Sequence, residues 1–189
     1  MNSQQDFLKR IIEKLQAAGI SYMISGSLGS SFHGKPRTTN DIDIVIEADE
    51  KKLMAFVKSL GDGYYVSEDA ARKAYFNTAT FNIVDFSSGY KTDIILRKNR
   101  AFSREEFARR KPAEIIGEHL YIVSAEDSIL SKLEWSKKGE SERQLNDAVG
   151  VAEVQWGNLD LDYLKKWAKE LDLVALLDRL LAEVQKLQQ

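Results

Sequence analysis

Apolar residues recur at helical spacing near the start of the chain: Phe7, Ile11, Ile12 and Leu15 stand between charged positions and Gly19 follows, which predicts a helix over residues 4–18. Residues 20–24 (Ile20 to Ile24) then read as a short strand running into the small-residue turn Gly26-Ser27-Leu28-Gly29-Ser30-Ser31, from which a short helix could run to about Gly34. Asp41-Ile42-Asp43-Ile44-Val45-Ile46 is β-branched and alternates, and is the clearest strand in the sequence. Leu53, Phe56, Val57 and Leu60 predict a helix that stops at Gly61-Asp62-Gly63, and a short helix is expected from Glu68 to Lys73. Thr80 to Phe86 and Lys91 to Leu96 read as two strands of a hairpin turned by Ser87-Ser88-Gly89-Tyr90. A helix around Ser103 to Arg110 and a shorter hairpin, with Ile115-Ile116 and Leu120 to Val123 flanking Gly117-Glu118, complete the first part.

Beyond Ser124 the period becomes helical. Ile129, Leu130 and Leu133, then Leu145, Val149 and Val151, then Leu161, Leu164 and Trp167, then Leu173 to Leu180 predict a bundle. Ser124 and Asp127 match a capping box loosely, because Asp replaces the Glu or Gln that reaches back best. The expected division is residues 1–123 as a core of mixed strands and helices, and residues 124–189 as a helical region packed on it, with no repeat or long linker.

Composition narrows the chemistry. The 189 residues, 43% of them hydrophobic, suffice for one core or for two small lobes. There is no cysteine, so disulfides and thiolate-bound zinc are excluded, and imidazole comes from His33 and His119 alone. A catalytic metal here is therefore expected to be held by oxygen, which suits Mg²⁺ or Mn²⁺. Lys and Arg number 27 against 29 Asp and Glu, so the whole chain is no obvious polyanion binder. The polar residues 1–6 lead into an amphipathic stretch, and no apolar run approaches the ~20 residues of a membrane span, so a soluble, cytoplasmic protein is expected.

The carboxylates carry the sharpest signal. Side chains alternate across a strand, so Asp41 and Asp43 share one face while Ile42, Ile44 and Ile46 form the core face. Two neighbouring carboxylates repel and resist burial unless a cation compensates, and a divalent ion is the natural compensation. Taken alone, the pair reads more simply as a solvent-exposed strand end. Gly26-Ser27 lies just after a strand, where backbone N–H groups could hold phosphate oxygens, and Asp93 sits in the otherwise apolar run Thr92-Asp93-Ile94-Ile95-Leu96.

The order Gly26-Ser27, Asp41-Ile42-Asp43, then Asp93 resembles the nucleotidyltransferase superfamily built on the DNA polymerase beta fold. The resemblance covers roughly residues 20 to 97. It is nearest to the abortive-infection nucleotidyltransferase toxins of type IV toxin–antitoxin systems and related small bacterial proteins, where Lys132 and Asp147 would match later Lys and Asp motifs. What the resemblance implies is an α+β fold, a small mixed β-sheet core flanked by helices and followed by a C-terminal helical bundle. It further implies transfer of a nucleoside monophosphate from an NTP to a hydroxyl. Asp41, Asp43 and Asp93 would be the catalytic, metal-binding residues for Mg²⁺ or Mn²⁺, with Asp93 favouring deprotonation of the attacking hydroxyl. Gly26, Ser27, Arg37 and Lys132 would bind the nucleotide, and Lys35 is a further phosphate contact to consider.

The acceptor stays open between a tRNA 3′ end, a protein hydroxyl and a small hydroxylated compound such as an aminoglycoside. Lys98, Arg100, Arg104, Arg109, Arg110 and Lys111 could serve RNA or simply form a solvated face. An antitoxin partner is conceivable on the same resemblance. The rival reading is a non-catalytic module of the same fold, against which the three retained carboxylates speak. Lys132 reads equally as a solvated helix lysine, and Arg143 with Asp147 as a surface pair. Gly29 to Lys35 mimics the Gly-x4-Gly-Lys spacing of a P-loop, but Pro36 stands where a Mg²⁺-binding hydroxyl is required and a strand follows where a long helix should.

Overall fold

The computed structural model describes residues 3–39, 41–115, 117–139 and 141–188. In chain order the elements are α1 (Gln4–Ala17), β1 (Ser21–Ile24), α2 (Gly26–His33), β2 (Asp41–Glu47), α3 (Glu50–Leu60), β3 (Tyr64–Tyr65), α4 (Glu68–Asn77), β4 (Thr80–Asp85), β5 (Lys91–Leu96), α5 (Ala101–Ala108), β6 (Lys111–Ile115), β7 (Glu118–Ile122), α6 (Ala125–Gly139), α7 (Glu142–Val154), α8 (Leu161–Glu170) and α9 (Val174–Leu187). They group into two compact units, Met1–Ser25 with Thr39–Ile122, and Gly26–Thr38 with Val123–Gln189. Strands β1 to β7 lie in the first unit together with α1, α3, α4 and α5, and the second unit is helical, which makes an α+β fold. Among the described residues no helix is long and apolar enough to cross a membrane.

The first unit is a seven-stranded mixed sheet in the order β3-β4-β5-β2-β1-β7-β6. At its centre β2 runs parallel to β5 and antiparallel to β1, while β4 closes an antiparallel hairpin with β5. The isoleucine face of β2 is the buried one: Ile42, Ile44 and Ile46 lie level with Thr92, Ile94 and Leu96 of β5, all buried. Thr92 is tolerated there because its hydroxyl donates to the Ile42 carbonyl at 2.8 Å. Helix α1 forms where its apolar positions predict, with Ser3 and Asp6 making a reciprocal capping box, and buries Phe7, Ile11 and Leu15. It packs on β1 and α3, and α4 packs on α3, β4 and β5.

Three elements depart from the pattern-based expectation. Helix α4 runs four residues beyond Lys73, carried by buried Ala71 and Ala74, and stops where Thr78 turns left-handed at φ 51°. Strand β3 is two residues long, too short to show any period. Strand β6 starts at Lys111 and includes Pro112, because it lies at the sheet edge where a missing N–H costs nothing. Ile116, expected in this hairpin, lies outside the described residues.

The second unit joins α2 to the four C-terminal helices. Helices α6 and α7 pack along each other, α2 packs on both, and α9 packs on α7 and α8. Residue 34 must be glycine: a Cβ there would stand 2.7 Å from the Val151 nitrogen and 2.8 Å from the Gly150 carbonyl carbon. The P-loop-like spacing therefore marks a close backbone approach to α7, and its helix, α2, precedes Gly34 instead of following it. Ser124 does cap α6, accepting from the Asp127 N–H at 3.1 Å and donating to the Asp127 carboxylate at 2.6 Å.

Candidate active site

The parallel register of β2 and β5 sets Asp41 beside Lys91 and Asp43 beside Asp93. Because alternate residues of a strand share a face, these four side chains form a two-by-two polar patch on the face opposite Ile42, Ile44 and Ile46. The antiparallel pairing of β4 adds Asn82 directly opposite Asp93. Ser25, the residue after β1, donates its N–H to the Asp43 carbonyl at 3.0 Å and is followed in the chain by Gly26.

Each oxygen of Asp93 has a donor. The Asn82 amide bonds to Oδ1, and Lys91 Nζ lies 3.4 Å from Oδ2. The same ammonium lies 3.3 Å from Asp41 Oδ1, so it stands between two carboxylates. Burial works against the charge on Lys91, but the attraction of Asp93 and then Asp41 outweighs it and holds its pKa above the ordinary lysine value. The side chains of Asp41, Lys91 and Asp93 are 58%, 35% and 22% exposed, a gradient from solvent into the sheet.

An oxygen-only donor set of three carboxylates suits Mg²⁺ or Mn²⁺ in kind. Among the described residues no three His, Cys, Asp or Glu side chains are drawn close enough to form a closed metal site. The patch nevertheless holds a cation, the Lys91 ammonium, where the negative charge converges. The residues thus fit a divalent ion in their chemistry, and Lys91 holds its place.

In the helical unit a second cluster forms around Asp147 of α7. Arg37 grips it through two bonds, Nε to Oδ1 at 2.9 Å and Nη2 to Oδ2 at 3.0 Å, and Lys132 of α6 donates to Oδ2 at 2.8 Å. Arg37 also donates to the Ser27 hydroxyl in the first turn of α2. Lys132 and Asp147 have side chains only 6% and 9% exposed. Burial pushes the Asp147 carboxyl up, yet the hydrogen bonds from Arg37 and Lys132 overcome this and leave its pKa below the usual Asp value.

No protein-family model matches the chain, and no curated protein sequence matches it. Solved structures do. The antibiotic-resistance factor ANT(2″)-Ia in solution superposes with a TM-score of 0.58 at 13% identity, covering 100% of this chain and 98% of that one. Lincosamide antibiotic adenylyltransferase LnuA, bound to lincomycin, gives 0.55 at 13% identity over 82% of this chain and 99% of its own. ANT(2″)-Ia in complex with adenylyl-2″-tobramycin gives 0.50 at 16% identity over 98% and 99%. The chain has the nucleotidyltransferase fold.

On that fold the expected residues divide between the two units. Asp41, Asp43 and Asp93 come together on the sheet, while Ser27, Arg37 and Lys132 come together in the helical unit, with Gly26 opening α2 at φ 60°. Lys132 is not a solvated helix lysine, and Asp147 pairs with Arg37 and Lys132, not with Arg143 at the surface. Lys35 pairs with Glu153 at 2.6 Å. Asn82 and Lys91 were not singled out from the sequence. Lys91 had a readable signal, since it stands two residues before Asp93 on one strand and so shares its face. Asn82 had none, because a cross-strand partner depends on hairpin register.

Proposed function

We propose that this chain is a nucleotidyltransferase that moves a nucleoside monophosphate from an NTP to a hydroxyl of a small hydroxylated compound. The observation that carries the reading is the β2–β5 register, which sets Asp43 beside Asp93 and keeps Asp41 on the same face. In the reaction the acceptor oxygen bonds to the α-phosphorus, and the bond from that phosphorus to the β-bridging oxygen breaks. Pyrophosphate leaves with the electron pair, and Asp93 takes the hydroxyl proton. A divalent ion held by Asp41, Asp43 and Asp93 would neutralise charge building on the phosphoryl oxygens.

Rigid strands fix these carboxylates, and the Asn82 amide orients Asp93. Gly26 and Ser27, in the first turn of α2, are assigned to triphosphate oxygens, since the opening N–H groups of a helix lack partners within it. Arg37 and Lys132 are assigned to the same phosphates: together they carry two positive charges against one on Asp147. The small-molecule acceptor is favoured by the antibiotic acceptors named for the similar structures, and ATP by the adenylylated tobramycin. The basic segment offers RNA less, because Arg104 bonds to Asn99 and Arg110 lies over the rings of Phe107 and Tyr121.

The test is to incubate the protein with Mg²⁺ and each α-labelled NTP against a panel of aminoglycosides and lincosamides, with total RNA and protein extract as parallel acceptors and Asp43→Asn alongside. Label on a small compound, absent with the variant, is expected. Label on RNA or protein would replace the acceptor class, and no transfer from any NTP to any acceptor would refute the activity.

A further inference from the structure

The Lys91 ammonium occupies the place between Asp41 and Asp93 where charge would otherwise repel, reaching them at 3.3 and 3.4 Å. Mg²⁺ needs its oxygen ligands at about 2.0–2.1 Å, so carboxylate oxygens that bind the ion cannot keep an ammonium wedged between them. Asp41 and Lys91 are register partners on adjacent strands, and Asp93 lies two residues along from Lys91, so the lysine cannot lose its position without leaving the patch by rotating its side chain. It is able to do so: its side chain is 35% exposed and flexible, unlike the strand-fixed carboxylates.

We infer that Lys91 is a tethered counter-ion that holds the Asp41 and Asp93 carboxylates in the metal-free chain and must swing out before a divalent ion binds, which sets how tightly that ion is held. The inference rests on the proposed metal role of these aspartates and adds a residue that acts against the metal instead of for it. Two consequences follow. The Lys91 ammonium offsets the repulsion between the Asp41 and Asp93 carboxylates. Each metal ion that enters has to displace one positive charge, so the patch is expected to load well only when the nucleotide's own phosphates contribute ligands.

The deciding experiment measures Mn²⁺ binding to the intact protein without nucleotide, by the loss of the free-ion electron paramagnetic resonance signal, for wild type, Lys91→Met, Lys91→Gln and Lys91→Arg. Removing one competing cation is expected to tighten Mn²⁺ by about tenfold in both neutral variants, the effect of a like charge at this range after screening. Lys91→Arg, which keeps the charge, is expected to bind as wild type does. In EDTA the neutral variants are expected to melt below wild type, and saturating Mn²⁺ to close that gap. Equal or weaker Mn²⁺ binding by both neutral variants, folded by circular dichroism, would overturn the role of Lys91 while leaving the aspartates as ligands. No Mn²⁺ binding by any of the four proteins would overturn the role of Lys91, and no protein-dependent Mn²⁺ binding when ATP is added as well would overturn the metal role proposed for Asp41, Asp43 and Asp93.

Discussion

Replacing Asp147 by alanine should test the helical unit's polar cluster most severely. The change strands Lys132, whose side chain is 6% exposed, and Arg37, which is 26% exposed, without the carboxylate that both contact. Removing one partner of a buried ion pair costs about 3–5 kcal/mol, because the remaining charge is left uncompensated in a poorly solvated place. Arg37 is exposed enough to turn towards water, so the lower end, about 3 kcal/mol, applies here. At about 2–4 °C per kcal/mol for a chain of this size, the melting temperature should fall by about 6–12 °C.

The assay is urea unfolding followed by far-ultraviolet circular dichroism at neutral pH, with Lys132→Met and the double variant completing a cycle. The loss from Asp147→Ala should shrink by at least about 1 kcal/mol in the Lys132→Met background, as coupled partners require. The pH dependence has a definite sign. The folded-state pKa of Asp147 is depressed, so its stabilisation is fully present above the unfolded value near about 3.9 and disappears as pH falls through the lower folded value. The gap between wild type and Asp147→Asn should therefore close under acid and stay constant from pH ~5 upward. A loss below about 1 kcal/mol, or equal losses in both backgrounds, would refute the view of Asp147 as the shared anchor of Arg37 and Lys132.

Gly34→Ala should destabilise the helical unit by about 1–3 kcal/mol in the same urea assay, because the new Cβ meets the backbone of Gly150 and Val151 and not a movable side chain. Asp85, only 3% exposed, accepts from the Ser87 amide and hydroxyl, from Ser88 and from Arg10 at 2.6 Å, and these together outweigh the effect of burial and depress its pKa. Asp85→Asn should therefore cost about 1.5–3 kcal/mol at neutral pH, and calorimetric scans should show that cost vanishing as pH falls through the depressed value. Thr92→Val, which removes the buried hydroxyl bonded to Ile42, should lower stability by about 1 kcal/mol in urea unfolding, with no change in Mn²⁺ binding.

The contrast between what the sequence displays and what it conceals follows from how far each determinant reaches along the chain. Helix α1 and strand β2 are legible because their buried positions repeat locally, with Phe7, Ile11 and Leu15 on one helical face and Ile42, Ile44 and Ile46 on one strand face. The same alternation exposes Asp41 and Asp43 as a pair. The resemblance names Arg37, Lys132 and Asp147, but their pairing is concealed, because Arg37 stands 110 residues before Asp147 and Lys132 fifteen, and no periodicity links positions on α7, α6 and the segment after α2. Residues 26–38 lie among strands in the sequence but belong to the helical unit, held there by contacts of α2 with α6 and α7.

The polar patch on the sheet shows that the boundary is not simply between local and distant. Asp93 is conspicuous as a charge in an apolar strand, whereas Lys91 on the same face was not singled out. Alternation assigns both residues to one face, so the sequence contained their proximity. What it lacked was the register that brings Asp41 opposite Lys91, and with it the sign of the interaction. A shift of β5 by one residue would turn Lys91 and Asp93 to the buried side and bring Thr92 to the patch, burying two charges beside Ile42 and Ile44. The apolar residues Ile94 and Leu96 thus do more than fill the core: by forbidding that shift they fix which charges meet, and through this they decide where a cation can sit.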